Sequence, residues 1–591
     1  MNRRMLLQGL ALSSIILPRL GEAMEIHAMG PVEPSPEGGS DGFDVRSLEF
    51  HSDQMWQWRS VDRGLRMMER LKLNTLIFHQ RDMTDYLVLP RAYFSPANMR
   101  RYAPVRRTTM YDYRYALRRA VAEAKKRQMK LFIEVNEIYY PDGIVEMNPQ
   151  LSVNGSVCPT DPFWWEFEKK KYEEILEEIP DIDGVIVSPG TVESRLTIAG
   201  NSCTCARCRD YDPAMWYHNL TQSIYEPLHA RGKLLVIRDF SSTRSNQSVL
   251  VQACASVAKD IILSLKITPQ DFYPTFPNNP LIGAATDRTQ WVEFDMWGQF
   301  FGHGFFPCSL VEDTQQRLIH CKKNKVTGVS FRIDWECTTD TDIFNSFNLV
   351  NLIAGGMLAE NTQTNIDDVY RSWLEYGLLD PLLPTSVETP PVPVVPADMG
   401  RIRDFMKASW EVMKRTMFVR GLVFASFSSM FPESVDSTMV ASTGIDAWIP
   451  GASESVKPTD ENIQIIMAEK EQAEQDVKRL SDILRVSDLQ VPASLKSSLT
   501  TMLDLYHTYV VGFKYCAAAY FKTKKAMQTR QANDIAEARR AADDLLTYKQ
   551  QTARMLSSTS LPHYAYLFFS LESLDLLAED VRSRMNSISP A

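Results

Sequence analysis

The chain has 591 residues, of which 44% are hydrophobic and 23% charged; this is an ordinary globular composition, too long for one core, and it predicts two or three domains. The net charge of −9 is offset by no long Lys/Arg block, which argues against nucleic acid, where phosphate neutralisation dominates binding. The expected ligand is neutral, or an anion met by local Arg and Lys.

At the N-terminus Arg3 and Arg4 precede LLQGLALSSIIL (6–17), and small residues follow near Gly21 to Ala23. The apolar stretch is too short to span a bilayer, so residues 1–23 read as an export signal and the mature protein is expected in the periplasm or outside the cell. RRMLL resembles a twin-arginine signal; an ordinary Sec signal would have a similar basic start. No other segment is apolar enough to span a membrane. Residues 24–44, with GPVEPSPEGGSDG at 30–42, read as a flexible tether.

Residues 45–377 then repeat one unit, a short β-branched or aromatic run ending at a polar residue and followed by a helical stretch. The runs are LEFHS (48–52), NTLIFHQRD (74–82), KLFIEVNE (130–137), DGVIVSPGTVES (183–194), KLLVIRDF (233–240), DIILSLKI (260–267), TQWVEFDMW (289–297) and TGVSFRIDWE (327–336). Eight buried strands alternating with helices predict parallel βα units that close into a (β/α)8 TIM barrel, with reacting groups at the C-terminal strand ends. There stand Glu137, Glu193, Asp239, Glu293, Asp295, Asp334 and Glu336. Such a ring of acids predicts general acid/base chemistry on a polar substrate. Helical spacing recurs at 58–73, 113–128, 163–179 and 346–360. Residues 378–398 are Pro-rich and read as an extended linker. From 399 to 591 amphipathic segments at 401–419, 461–484, 493–529, 534–556 and 563–585 predict an all-α helical bundle. Its apolar stripes would serve either as internal core or as a homodimer face.

Several strand ends carry the expected site. VIVSPGTVESR (185–195) breaks at Pro189 and Gly190 and presents Glu193 over the barrel mouth. WVEFDMW (291–297) sets Glu293 and Asp295 beside Trp297, a sugar-binding composition, because an aromatic face packs on a pyranose while carboxylates accept its hydroxyls. His79, Gln80 and Asp82 end the second strand, and Glu134, Asn136 and Glu137 lie along the third. Arg238, Lys266 and Arg332 would receive a substrate carboxylate, or form salt bridges to Asp239 or Asp334.

The order VSPGTVES, SLKITPQDFYPTFPNNPLIGA, VEFDMWGQFFG and GVSFRIDWE resembles the barrel of the α-glucuronidase family, glycoside hydrolase family 67. The likeness covers 183 to about 355 and is stronger in order than in identity; that family's N-terminal αβ domain has no counterpart here. It implies an exported, exo-acting, inverting glycosidase on a terminal sugar or uronic acid, with Glu193 as general acid. That family places a further acid some twenty residues after the strand-7 Glu, at Glu312 and Asp313 here. Asp313, at that spacing, and Asp334 and Glu336, which end the eighth strand, are the candidates for the base. Two alternatives use the same residues, a non-catalytic carbohydrate-binding protein on a degenerate barrel and a metal-dependent hydrolase built on His51 and His79. The first would lack an acid facing Glu193.

Cys203, Cys205 and Cys208 form CTCARC after the fourth strand, and such a loop also resembles one found in other sugar-active barrels. The spacing brings three thiols within reach of one tetrahedral ion, with Cys158 or His218 as fourth ligand, and so predicts a structural zinc; disulfides are the rival reading in an oxidising compartment. No cofactor is expected for catalysis. Cys254, Cys308, Cys321, Cys337 and Cys516 read as buried small residues.

Overall fold

A computed structural model describes residues 42–589 apart from 242–243, 285–286, 339, 385, 426–427, 440–441, 443, 560 and 567. The expected export signal, and the tether up to residue 41, lie outside the described residues. All eight strands form: β1 (Val45–Phe50), β2 (Thr75–His79), β3 (Lys130–Glu137), β4 (Gly184–Pro189), β5 (Leu234–Arg238), β6 (Ile262–Lys266), β7 (Gln290–Asp295) and β8 (Gly328–Arg332). They pair in parallel with chain neighbours, and β1 pairs with β8 to close the barrel. Every residue of β2, β4, β6, β7 and β8 is buried, as parallel strands covered on both faces require.

The lower interior is a separate apolar plug of Ile77, Phe132, Ile186, Val236, Ile262 and Trp291. Its two large rings sit 5.4 Å apart, edge to face. Each lies in register with a glycine on the next strand, Phe132 with Gly184 and Trp291 with Gly328. A Cβ at either glycine would collide with the ring, so these positions keep the barrel wide enough for its aromatic filling.

Helices α1 (Trp58–Arg70), α2 (Arg106–Lys126), α3 (Phe163–Glu178), α4 (Pro213–His229), α5 (Arg244–Ala255), α6 (Val311–Lys323), α7 (Leu349–Glu360) and α8 (Ile366–Tyr376) follow the strands. Between β6 and β7 no helix stands among the described residues; Pro269, Pro274, Pro277 and Pro280 interrupt that stretch. Five long helices complete the chain: α9 (Pro396–Met417), α10 (Asp460–Leu484), α11 (Ala493–Thr529), α12 (Ala532–Ser557) and α13 (Leu571–Ser587). Their stripes, including Leu499, Tyr506, Phe513, Leu545 and Leu577, are buried. Among the described residues no helix is long and apolar enough to cross a membrane.

Two segments differ from the sequence reading. The tether ends before residue 44, because Phe43 is buried and its N–H donates to Ala359 O at 2.9 Å. The Pro-rich linker is a docked strap. Leu378 and Val392 exchange backbone hydrogen bonds of 2.9 and 2.7 Å, Leu379 and Val394 are buried, and Glu388 pairs with Arg66 of α1 at 2.9 Å.

The loop after β7 joins barrel to helices. Ser429 Oγ donates to Gln299 O and accepts from Gly302 N, both at 2.8 Å, while Phe306 stacks on Tyr506 and Phe305 packs on Phe568.

Candidate active site

Because strand side chains alternate between faces, Glu49, His79, Glu134, Arg238, Ser264, Glu293 and Ser330 share the inner face above the apolar plug. They form one continuous polar layer. His79 Nδ1 lies 2.8 Å from Glu49 Oε1 and 3.1 Å from Glu134 Oε1, and Arg238 Nε bridges Glu134 at 3.0 Å and Glu293 at 2.7 Å. Ser264 Oγ donates to Glu293 Oε1 at 2.6 Å. Burial pushes the Glu134 carboxyl well above its ordinary range despite Arg238, whereas for Glu49 the two facing histidines overcome burial and hold it well below. Burial and the His51 cation keep His79 neutral. This layer is a floor bonded largely within itself, although among the described residues His79 Nε2 finds no hydrogen-bond partner.

One step higher stand Glu193 and Glu336. Glu193 sits on the loop that leaves β4 at Gly190, a residue at φ 62° against which a Cβ would strike Trp216. Its Oε2 accepts from Asn136 Nδ2 at 2.7 Å, and its backbone N–H donates to Thr191 Oγ1 at 3.1 Å. Burial, reinforced by the charge of Glu336, raises the Glu193 carboxyl. Glu336 follows β8 and pairs with His51 Nε2. Burial works to raise it, but the His51 and Arg332 cations win and hold it at about 2. His51 in turn resists burial through Glu336 and Glu49 and is raised to about 10. One carboxyl is thus shifted toward its protonated form and the other toward its ionised form, the direction of an acid/base pair.

The structure sends other expected site residues elsewhere. Glu137 is the first residue after Asn136 and so falls on the opposite face; it is buried against α3, where it accepts from Lys171 Nζ at 2.9 Å and Tyr172 OH at 2.7 Å. It does not reach the pocket. Asp239 likewise turns outward to Gln247 and Ser241 N. Asp295 accepts from the N–H groups of Trp297, Gly298 and Gln299 at 3.1, 3.1 and 2.8 Å, which folds the next loop back. That turn buries Trp297 completely, against His303, so it offers no ring to a sugar. Asp313 lies on α6 and pairs with Arg317 at 2.6 Å, whose guanidinium also holds Pro274 O and Phe276 O; it braces the β6–β7 loop. Glu312 faces Tyr370 OH at 3.2 Å. Asp334 accepts from His51 N and Ser52 Oγ, both at 2.5 Å, and fixes the end of β1; burial raises its carboxyl to about 7. Of the three expected bases, Glu336 is the one whose charge stands out in raising Glu193.

Lys266 and Arg332, at the ends of β6 and β8, do stand on the inner face at the barrel mouth. Lys266 Nζ contacts Asp271 Oδ1 at 2.9 Å and lies 3.6 Å from the Phe240 ring centroid, and burial lowers its pKa. Arg332 Nη2 donates to Gln299 Oε1 at 2.6 Å and lies 3.4 Å from Asp295, while its buried Nε has no partner. Sequence reasoning passes over Glu49 and Arg81. Alternation in VRSLEFHS would have put Glu49 beside His51. Arg81, inside the HQRD run, is exposed at the mouth, and the carboxylates of Glu193 and Glu336 are among the charges that raise its pKa against burial.

Among the described residues two groups offer ligand-type atoms, Glu49/His51/His79 and Cys158/Cys203/Cys205/Cys208. In the first, the Nδ1 atoms of His51 and His79 are 2.5 Å apart, closer than two nitrogens bound at about 2.0–2.1 Å to one tetrahedral ion would stand. His218 turns to Ser256 Oγ at 2.8 Å and is no part of the second. Among the remaining thiols Cys254, Cys308, Cys321 and Cys516 are buried as expected, but Cys337, in the turn after Glu336, is exposed.

Fold and site together define a (β/α)8 barrel with an oppositely poised carboxyl pair at its mouth, followed by a helical region. The sequence matches no protein-family description and no curated protein. Among solved structures, the chain is similar to a GH138 enzyme targeting pectin rhamnogalacturonan II, with 11% identity, a TM-score of 0.60, and coverage of 93% of this chain and 84% of that one. That likeness spans barrel and helical region and establishes a shared architecture. Weaker similarity links it to a GH20 exo β-N-acetylglucosaminidase from Vibrio harveyi (12% identity, TM-score 0.37, 55% and 56% covered) and a β-N-acetylhexosaminidase from Bacteroides fragilis NCTC 9343 (13%, 0.38, 56% and 70%).

Proposed function

We propose that this protein is an exported glycoside hydrolase that removes a terminal sugar or uronic acid from an oligo- or polysaccharide with inversion at the anomeric carbon. The observation that carries the reading is the coupling of Glu193, raised toward its protonated form, to Glu336, held ionised by His51 and Arg332. Glu193 donates its proton to the glycosidic oxygen as the bond to the anomeric carbon breaks. Glu336 takes a proton from the water that attacks the opposite face, and the products are the free alcohol and the sugar of inverted configuration. That course needs the two carboxyls about 6.5–9.5 Å apart, against about 5–5.5 Å for a retaining enzyme. Arg81, Lys266 and Arg332 are cations suited to a uronate carboxylate. Architectural likeness to a pectin-directed GH138 enzyme agrees with this class; the α-glucuronidase relation rests on motif order alone.

The test is a panel of aryl glycosides and uronides, with the anomer of the first-formed product read by NMR. Turnover with an inverted product supports the reading. A retained product would make Glu336 a nucleophile, and binding without turnover across the panel would favour the carbohydrate-binding alternative.

A further inference from the structure

Four cysteines from two loops meet beside the barrel mouth. Cys158 lies in the loop after β3; Cys203, Cys205 and Cys208 lie in the loop after β4. One sulfur from each falls within 4.8 Å of all the others. Cys158 Sγ is 3.7 Å from Cys205 Sγ and 3.5 Å from Cys208 Sγ. A tetrahedral ion with bonds of about 2.3 Å to sulfur sets its ligands about 3.8 Å apart along each edge. The observed separations are close to that edge. They do not sort into two disulfides either, because Cys158 is near two sulfurs at once.

The surroundings are built to hold this arrangement. The indole N–H of Trp164 donates to Cys158 O at 2.8 Å and that of Trp216 to Pro159 O at 2.9 Å, and both rings are fully buried. The two tryptophans anchor the backbone of the single ligand from the first loop. In the second loop the Cys208 N–H donates to Cys205 Sγ at 3.3 Å, supporting a sulfur that carries negative charge.

We propose that Cys158, Cys203, Cys205 and Cys208 hold a structural zinc ion that staples the β3 loop to the β4 loop. Binding takes Zn²⁺ and four thiols to a tetrathiolate complex and releases four protons to solvent. All four positions are filled by protein, so the ion has no open site for chemistry. Its effect on catalysis is through position. The β4 loop carries Glu193 at its start and the three ligands at its end, and between them Leu196 N donates to Ile138 O at 3.1 Å and Thr197 Oγ1 to Gly190 O at 2.7 Å. The staple fixes the far end of the segment that presents Glu193.

Protein purified without chelator should contain one zinc per chain by mass spectrometry of the elements, and exchange for Co²⁺ should give the intense near-ultraviolet thiolate-to-metal absorption of a sulfur-rich tetrahedral site. Chelation should lower Tm, and added zinc should restore it. Cys205→Ser and Cys208→Ser should each lose the metal, and should a variant fail to fold, the wild-type metal content and cobalt spectrum decide alone. None of these readouts needs a substrate, so they stand apart from the hydrolase reading. Absence of zinc, stoichiometric iron, or an intact mass lower by the four hydrogens of two disulfides would overturn the proposal.

Discussion

Glu193→Gln removes a proton and little else. The amide keeps the shape of the side chain, and its oxygen can still accept from Asn136 Nδ2, the 2.7 Å bond that orients the acid. What is lost is general acid catalysis, about 10²–10⁴-fold, or about 2.7–5.4 kcal/mol at about 1.36 kcal/mol per decade. The whole of that loss should fall on kcat/KM for glycosides with a poor, alkyl leaving group. For an aryl glycoside whose phenol leaves without protonation it should shrink toward nothing. The pH profile supplies a second signature. Burial and Glu336 raise the Glu193 pKa, and the acid works while protonated, so wild-type kcat/KM should fall as pH rises through that raised value; the Gln variant should lose this descending limb. Stopped assays over a leaving-group series at several pH values measure both. Near wild-type rates on alkyl glycosides, or a descending limb that survives the substitution, would refute Glu193 as the acid.

Three further perturbations follow from the contacts. His51→Gln removes the cation paired with Glu336, so the ascending limb of kcat/KM, set by a base that works deprotonated, should move from about 2 toward the ordinary 4.5; an unmoved limb would separate Glu336 from the base role. Lys171→Met leaves Glu137 and Glu168 buried without their cation, and urea unfolding should show a loss of about 3–5 kcal/mol with kcat per folded molecule unchanged. Asp334→Ala strips the acceptors from His51 N and Ser52 Oγ and should cost about 1–3 kcal/mol of stability; azide rescue yielding a glycosyl azide in this variant, and not in Glu336→Ala, would move the base to Asp334.

The barrel is legible because buried parallel strands write themselves as continuous β-branched and aromatic runs, and KLFIEVNE coincides with β3 residue for residue. The position of Glu193, the proposed acid, is legible for a related reason: Pro189 and Gly190 mark where β4 must stop, and a carboxylate follows. Which strand-end acids face the pocket is harder to read, since a shift of one residue reverses the side. Asn136 and Glu137 are adjacent, yet one holds Glu193 and the other holds Lys171. Trp297 misleads because nothing local announces that Asp295 will bend three successive N–H groups back on itself. The prolines at 378–396 signal a chain extended over the surface without saying that it will bury Leu379 and Val394.

The docking of the β7 loop has a bearing on biosynthesis. Phe305 and Phe306 belong to the barrel, but the rings that cover them, Tyr506, Tyr509 and Phe568, are on segments translated much later. A nascent chain that has released all eight strands therefore still shows an aromatic patch to solvent, and it shows that patch until the final helices emerge. Truncation after α8 would not liberate a self-sufficient barrel. It would yield a sticky intermediate, prone to self-association, and a shortened version that keeps this patch covered must retain its chain through Phe568.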